Sequence, residues 1–304
     1  MRPLRLGTRA SPLARRQTAE AAAVLAGQGV ETSSVTISTQ GDRDRQTSLL
    51  QLGGQGVFTR ALEEALVDDR IDVAVHSAKD LPTELLDGTA IVAYLPRADV
   101  RDVLVSRRGE SLAALNPGAR VGTSSRRRAA QLLARRPDLR VEDVRGNVDT
   151  RLRKVERGEY DAIVLAAAGL ARMDRLDAVS EYLPINVMLP APGQGAIALQ
   201  ARADDSETAA ALSAANHAPT ALAVRAERGV LEALGAGCSL PVAALAHLRG
   251  AELTLLAQVL DPAGTQIVTA QRSAAGSDPE TLGRAVGEEL LAKGADILLR
   301  EVVS

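Results

Sequence analysis

The sequence predicts an α/β protein whose strand–helix pattern runs twice, followed by a small α+β domain. Three observations point there. Short apolar or β-branched runs lead through polar corners into helical segments. That alternation restarts from Leu115 onward. After Gly235 the style changes to three extended segments and one helix.

Leu4 to Leu6 reads as a strand, and Gly7-Thr8-Arg9-Ala10-Ser11-Pro12 turns it into a helix reaching about Ala26. Ser11 suits an N-cap and Pro12 the first helical turn. The free amides of such a start favour an anion, and Arg9 adds a fork suited to carboxylate or phosphate. Thr32 to Thr39 alternates as a strand. Gln40 to Gly56 is polar and Gly-rich, and reads either as a flexible lid or as an ordinary solvent loop. Thr59 to Asp69 reads as a helix, and strands are expected at Ala90–Tyr94 and Val103–Ser106.

Ile71 to Pro82 is the stretch around which the chemistry is expected. Its first half is a buried strand; His76, Ser77, Lys79 and Asp80 then crowd its C-terminal end before Pro82 stops regular structure. Such strand ends line ligand clefts in open α/β folds, although a polar strand edge facing water fits the same pattern. Asp80 stands out, because a carboxylate beside Lys79 and partly desolvated can stabilise a developing cation. His76, His217 and His247 read as structural.

In the second run, Arg120–Gly122 ends a strand and Thr123-Ser124-Ser125-Arg126-Arg127-Arg128 opens a helix to Arg136. Basic side chains in a first turn oppose the helix dipole by about 0.3–1 kcal/mol each. An anion held among the hydroxyls, amides and guanidiniums would compensate; a solvated basic face is the other reading. Arg145 and Arg151 flank a Gly-Asn corner at another strand-to-helix turn. Ala162–Leu165 is a strand and the next helix carries Arg172. Leu189 to Gly195 mixes prolines with glycines, as a hinge or crossover does. Ala196–Ala201 is a further strand, followed by helices over Asp205–Asn216 and Thr220–Leu234. Val242–His247, Glu252–Leu260 and Gln266–Arg272 form a meander, covered by a helix from Pro279 to Lys293.

Composition narrows the function. Net charge is −2, so no global field draws the chain to nucleic acid or a membrane. Aromatics make up 1% of the chain, with Phe58 the only Phe and no Trp, so binding by stacked rings is not expected. The lone Cys238 excludes an internal disulfide, and the three histidines lack metal-ligand spacing, so no metal is expected. No signal-peptide core and no 18-residue apolar run is present, which predicts a cytoplasmic protein. Cys238 sits in Gly235-Ala-Gly-Cys-Ser-Leu-Pro241. It reads either as a small buried hydrophobe or as a sulfur within reach of a ligand.

Seven motifs in order give the chain a likeness. They are Thr8-Arg9-x-Ser11-Pro12-Leu13-Ala14, Gly53-Gly54-x-Gly56-Val57-Phe58, and His76-Ser77-x-Lys79-Asp80-Leu81-Pro82. Val121-Gly122-Thr123-Ser124-Ser125-x-Arg127-Arg128 and Arg145-Gly146-Asn147-Val148-x-Thr150-Arg151 follow, then Gly193-Gln194-Gly195 and Gly237-Cys238. Over essentially its whole length the sequence resembles hydroxymethylbilane synthase, also called porphobilinogen deaminase.

That resemblance implies two doubly wound α/β lobes like those of periplasmic solute-binding proteins, plus a small C-terminal α+β domain. The expected domains are residues 1–95 with 196–213, residues 100–190, and residues 218–304. It implies a dipyrromethane cofactor joined to Cys238 by a thioether, and a transferase that links four porphobilinogen units with loss of ammonia before hydrolytic release of the linear tetrapyrrole. Asp80, with Lys79, takes the catalytic position; Asp80 would hold pyrrole N–H groups and offset the positive charge left when ammonia departs. The cofactor would lie against Lys79, Asp80, Thr123, Ser125, Arg127, Arg128, Arg151 and Asp42. Arg9, Ser11, Gln17, Phe58, Arg145, Arg172 and Gln194 would bind substrate, the guanidiniums pairing with acetate and propionate groups. Gln40, Gln51 and Gln55 replace cations of many relatives. A monomer is expected, with no nucleic-acid or membrane partner. Two rivals remain: a non-catalytic two-lobed anion-binding or sensor protein, and a nucleic-acid binder using Arg126–Arg128 and Arg135–Arg136.

Overall fold

The structure is a computed structural model and describes residues 2–38, 59–235 and 240–300. The chain divides into two compact units. One comprises Met1–Ala98 with Gly195–Ala221, the other Asp99–Gln194 with Leu222–Ser304.

The first unit is built on a five-stranded sheet. In chain order it contains β1 (Leu4–Arg9), α1 (Pro12–Gly27), β2 (Thr32–Ile37), α2 (Arg60–Val67), β3 (Val73–Ser77), β4 (Thr89–Tyr94), β10 (Ile197–Arg202) and α6 (Ser206–Ser213). The strand order is β2-β1-β3-β10-β4. β1 pairs in parallel with β2 and β3, whereas β10 is antiparallel to both β3 and β4. Helices on both faces bury β3 up to His76: Val73 and Val75 pack with Leu25 of α1, while Ala74 packs with Leu62 and Leu66 of α2 on the other face. Helices on both faces make this the doubly wound lobe expected.

The second unit repeats the plan. Its sheet holds β5 (Asp102–Ser106), β6 (Arg120–Gly122), β7 (Arg140–Glu142), β8 (Ala162–Ala166) and β9 (Glu181–Tyr182), ordered β7-β6-β8-β5-β9. β6 is parallel to β7 and β8, and β5 is antiparallel to β8 and β9. Leu132 of α3 (Arg126–Arg135) packs on one face, and Leu152 of α4 (Val148–Glu156) and Leu170 of α5 (Ala167–Arg172) on the other. In both sheets the antiparallel strand sits fourth.

The same unit contains α7 (Ala218–Ala233) from Leu222 onward and an antiparallel meander of β11 (Val242–Arg249), β12 (Glu252–Leu260) and β13 (Ile267–Ala275). α8 (Pro279–Ala292) and α9 (Ala295–Arg300) follow. Leu253, Leu255, Ala257 and Val259 of β12 share one core with Val230, Val286 and Leu298 from the three helices. Sequence pattern missed β7, β9 and α9. The two strands are three and two residues long with polar composition, so they carry no periodicity to read.

Candidate active site

In the first sheet, β1 and β3 are parallel, so their C-terminal ends lie on one edge, and antiparallel β10 starts there with Ile197 opposite Ser77. β1 leads through Arg9 to Ser11, whose extended backbone and hydroxyl cap α1; Oγ accepts from Ala14 N–H at 3.2 Å. Pro12 takes the first helical position, where no N–H is needed. Gln17 is buried on α1 and donates from Nε2 to Ser77 Oγ at 2.7 Å, which ties the helix to the end of β3.

A 3-10 turn over Ala78–Asp80 then carries Lys79 and Asp80 beyond the sheet. Its first amide, Ala78 N–H, donates to Ala196 O at 3.0 Å, so the residue before β10 anchors the turn. Lys79 is half-buried and Asp80 is exposed. This corrects the expectation of a partly desolvated Asp80: regular pairing stops at Ser77, and the following turn leaves the packed edge.

His76 points the other way in its chemistry. It is buried, and its Nε2 lies 2.9 Å from Gln200 Oε1. Gln200 Nε2 donates to buried Glu63 Oε1 at 2.9 Å and to Thr89 Oγ1 at 2.7 Å. The carboxylate fixes the amide orientation, and so makes His76 Nε2 a donor. Burial lowers the His76 pKa to about 4, against the raising effect of the Gln200 bond. The imidazole is neutral and structural.

In the second sheet the C-terminal ends of β6, β7 and β8 share an edge, and β5 begins there with Asp102 opposite Ala166. Thr123 N–H donates to Glu142 O, Thr123 Oγ1 accepts from Ser125 N–H, and Ser125 Oγ caps α3 by accepting from Arg128 N–H. Gly146 has φ +109°, a conformation that L side chains rarely adopt. Asn147 next to it caps α4 through Thr150 N–H at 2.9 Å, and Arg151 Nε donates to Gly146 O at 2.8 Å. Arg145 precedes this corner, and Arg172 ends α5 after β8; both are half-buried.

Asp102 is the residue that sequence reasoning missed. It is fully buried, and its carboxylate accepts from Arg127 Nη2 at 2.8 Å, Arg128 Nε at 3.0 Å and Nη2 at 2.7 Å, and Gln194 Nε2 at 3.0 Å. Burial alone would raise its pKa, but the charges of Arg127 and Arg128 outweigh it and hold the group at about 2. The chain itself therefore supplies one negative charge against the two guanidiniums of the α3 first turn. The signal was a lone carboxylate opening the apolar run Val103-Leu-Val. Gln194, itself buried, also donates to Val100 O at 2.7 Å.

Asp42, Phe58 and Cys238, with the loop of Gln40, Gln51 and Gln55, lie outside the described residues. Among the described residues no group of His, Cys, Asp and Glu could hold a metal ion, and no helix is long and apolar enough to cross a membrane.

Comparison with known proteins adds the following. The family description "Porphobilinogen deaminase, dipyromethane cofactor binding domain" matches residues 4–210, and "Porphobilinogen deaminase, C-terminal domain" matches residues 221–292. The chain is 47% identical over 302 residues to porphobilinogen deaminase of Brevibacillus brevis, covering 98% of this chain and 97% of that one. It is 48% identical over 301 residues to that of Acidithiobacillus ferrooxidans, covering 98% of each. Among solved structures it is similar to a methionine-binding protein, MetQ, with TM-score 0.42 and 14% identity over 70% of this chain and 89% of that one.

Proposed function

The chain belongs to the porphobilinogen deaminase family, and we propose that its chemistry runs through the two sheet edges just described. It is a transferase, a hydroxymethylbilane synthase of tetrapyrrole biosynthesis that joins four porphobilinogen units on a dipyrromethane cofactor. When bound, the dipyrromethane supplies the pyrrole end to which units are joined.

The donor set fits such a group. Each pyrrole carries an acetate and a propionate, and the second edge offers guanidiniums around capped helix starts, with a buried pair of arginines sharing one carboxylate. In this reading Thr123, Ser125, Arg127, Arg128 and Arg151 hold the cofactor together with Lys79, Asp80 and Asp42. Cys238 forms its thioether. Arg9, Ser11, Gln17, Arg145, Arg172 and Gln194 receive porphobilinogen, and Phe58 covers a ring. Asp80 accepts pyrrole N–H groups and offsets the charge left when ammonia departs; its exposure leaves it open to a ligand. Lys79 shares the catalytic position with it. The domains are residues 1–95 with 196–213, residues 100–190, and residues 218–304. The enzyme works as a cytoplasmic monomer without a nucleic-acid or membrane partner.

The observation that carries this residue assignment is the Asp102–Arg127–Arg128 cluster, a buried site with one positive charge in excess at a strand-end edge. Incubation of purified protein with porphobilinogen tests it, together with the intact mass of the chain. A mass increase of two pyrrole units on Cys238 and consumption of porphobilinogen are expected. An unmodified chain that binds porphobilinogen without consuming it would favour a binding protein.

A further inference from the structure

We propose that Asp102 is the positioning residue of the carboxylate-binding edge in the second unit: it locks two guanidiniums and Gln194 into one cluster that keeps a single positive charge in reserve. The inference rests on the proposed reading that Arg127 and Arg128 meet ligand carboxylates. Asp102 itself meets no ligand. It is fully buried, and the hydrogen bonds from Arg127, Arg128 and Gln194 occupy both of its oxygens.

Three features separate this cluster from an ordinary ion pair. Arg128 is held side-on, with Nε and Nη2 on one oxygen and Nη1 on Val164 O at 3.2 Å, so its plane is fixed. Arg127 is held only at its ends, Nη2 on Asp102 and Nη1 on Leu189 O at 2.6 Å; its Nε is buried without a hydrogen-bond partner among the described residues. A guanidinium free to reorient would satisfy that N–H, so Arg127 is being held for another purpose. Finally, one carboxylate faces two guanidiniums, and no second carboxylate pairs with either among the described residues. A buried surplus charge is costly unless an anion arrives to match it.

Gln194 brings the chain segment before β10 into the same cluster, bonding both Val100 O and Asp102. Asp102 thus sets where the two guanidiniums stand relative to Gln194 and Val100.

The test compares Asp102→Asn with Asp72→Asn in the holoenzyme. Asp72 is also buried and also holds arginines, namely Arg2, Arg5 and Arg202, but at the opposite edge of the first sheet. Both variants are expected to lower the melting temperature. Only Asp102→Asn should also raise KM for porphobilinogen, by about tenfold and more than it lowers kcat, and reduce the fraction of chains carrying two pyrrole units by intact mass. Wild-type KM and loading in Asp102→Asn, or the same changes in Asp72→Asn, would overturn the proposal. If Asp102→Asn does not fold, Asp102→Glu carries the test, since it keeps the charge but shifts the fork; a raised KM supports the proposal and an unchanged KM overturns it. Arg127→Leu and Arg128→Leu separate the two levels. If they leave KM unchanged, the carboxylate-binding reading itself fails; if they raise it and Asp102→Asn does not, only the role of Asp102 fails.

Discussion

His76 and Gln200 meet at 2.9 Å across β3 and β10, one residue before the strand end that leads to Asp80. Burial keeps this imidazole neutral, although the Gln200 bond alone would favour its protonated form. Folding holds the His76 pKa near 4 against an ordinary 6.5, mainly through burial. The unfolded chain therefore binds the extra proton between those values. Stability from this group is complete above pH 6.5, falls as pH drops toward 4, and is flat below. Between pH 7 and pH 5 the loss should be about 2 kcal/mol. Urea unfolding at the two pH values checks this, and His76→Gln should shrink the difference while itself costing about 1–3 kcal/mol.

Asp80→Asn should abolish most turnover without unfolding the protein. The side chain is exposed beyond the last paired residue of β3, so stability should change by no more than about 0.5 kcal/mol. Loss of the charge that opposes a developing cation should lower kcat by roughly 100–1,000-fold. Wild-type turnover in this variant would remove Asp80 from the mechanism.

Gly146→Ala should damage the second edge through the backbone. At φ +109° a Cβ would lie 2.6 Å from Thr150 Cγ2, inside the turn that Asn147 caps. The expected cost is about 1–3 kcal/mol in thermal or urea unfolding, with weaker porphobilinogen binding because Arg145 and Arg151 flank the corner.

Cys238→Ala should yield a chain of unmodified mass that gives no colour with Ehrlich reagent after denaturation. A normal colour would place the attachment elsewhere.

Local chemistry was legible in the sequence. Ser11-Pro12, Ser125 and Asn147 announced helix starts because a cap needs only a hydroxyl or amide three residues before its amide. The apolar, β-branched run before His76 announced β3, because a buried strand is written in consecutive residues. What the sequence hid is long-range pairing. Nothing near Ile197–Arg202 says that it inserts antiparallel between β3 and β4. Asp102 finds partners 25, 26 and 92 residues away, so its role is invisible to any local pattern. The basic first turn of α3 signalled correctly that an anion was needed, but could not say that the chain held one. Exposure of Asp80 also depends on where pairing stops, which composition does not record.

The strand orders also set a timetable for synthesis. All five strands of the second sheet lie between Asp102 and Tyr182, so that sheet can close as soon as the segment leaves the ribosome. In the first sheet, among the described strands, β4 bonds only to β10, which is made about 100 residues later. The N-terminal lobe must wait, with β4 unpaired, until its neighbour has already formed. A nascent chain stalled before Ile197 should therefore expose that strand to chaperones and proteases, whereas one stalled after Arg202 should not.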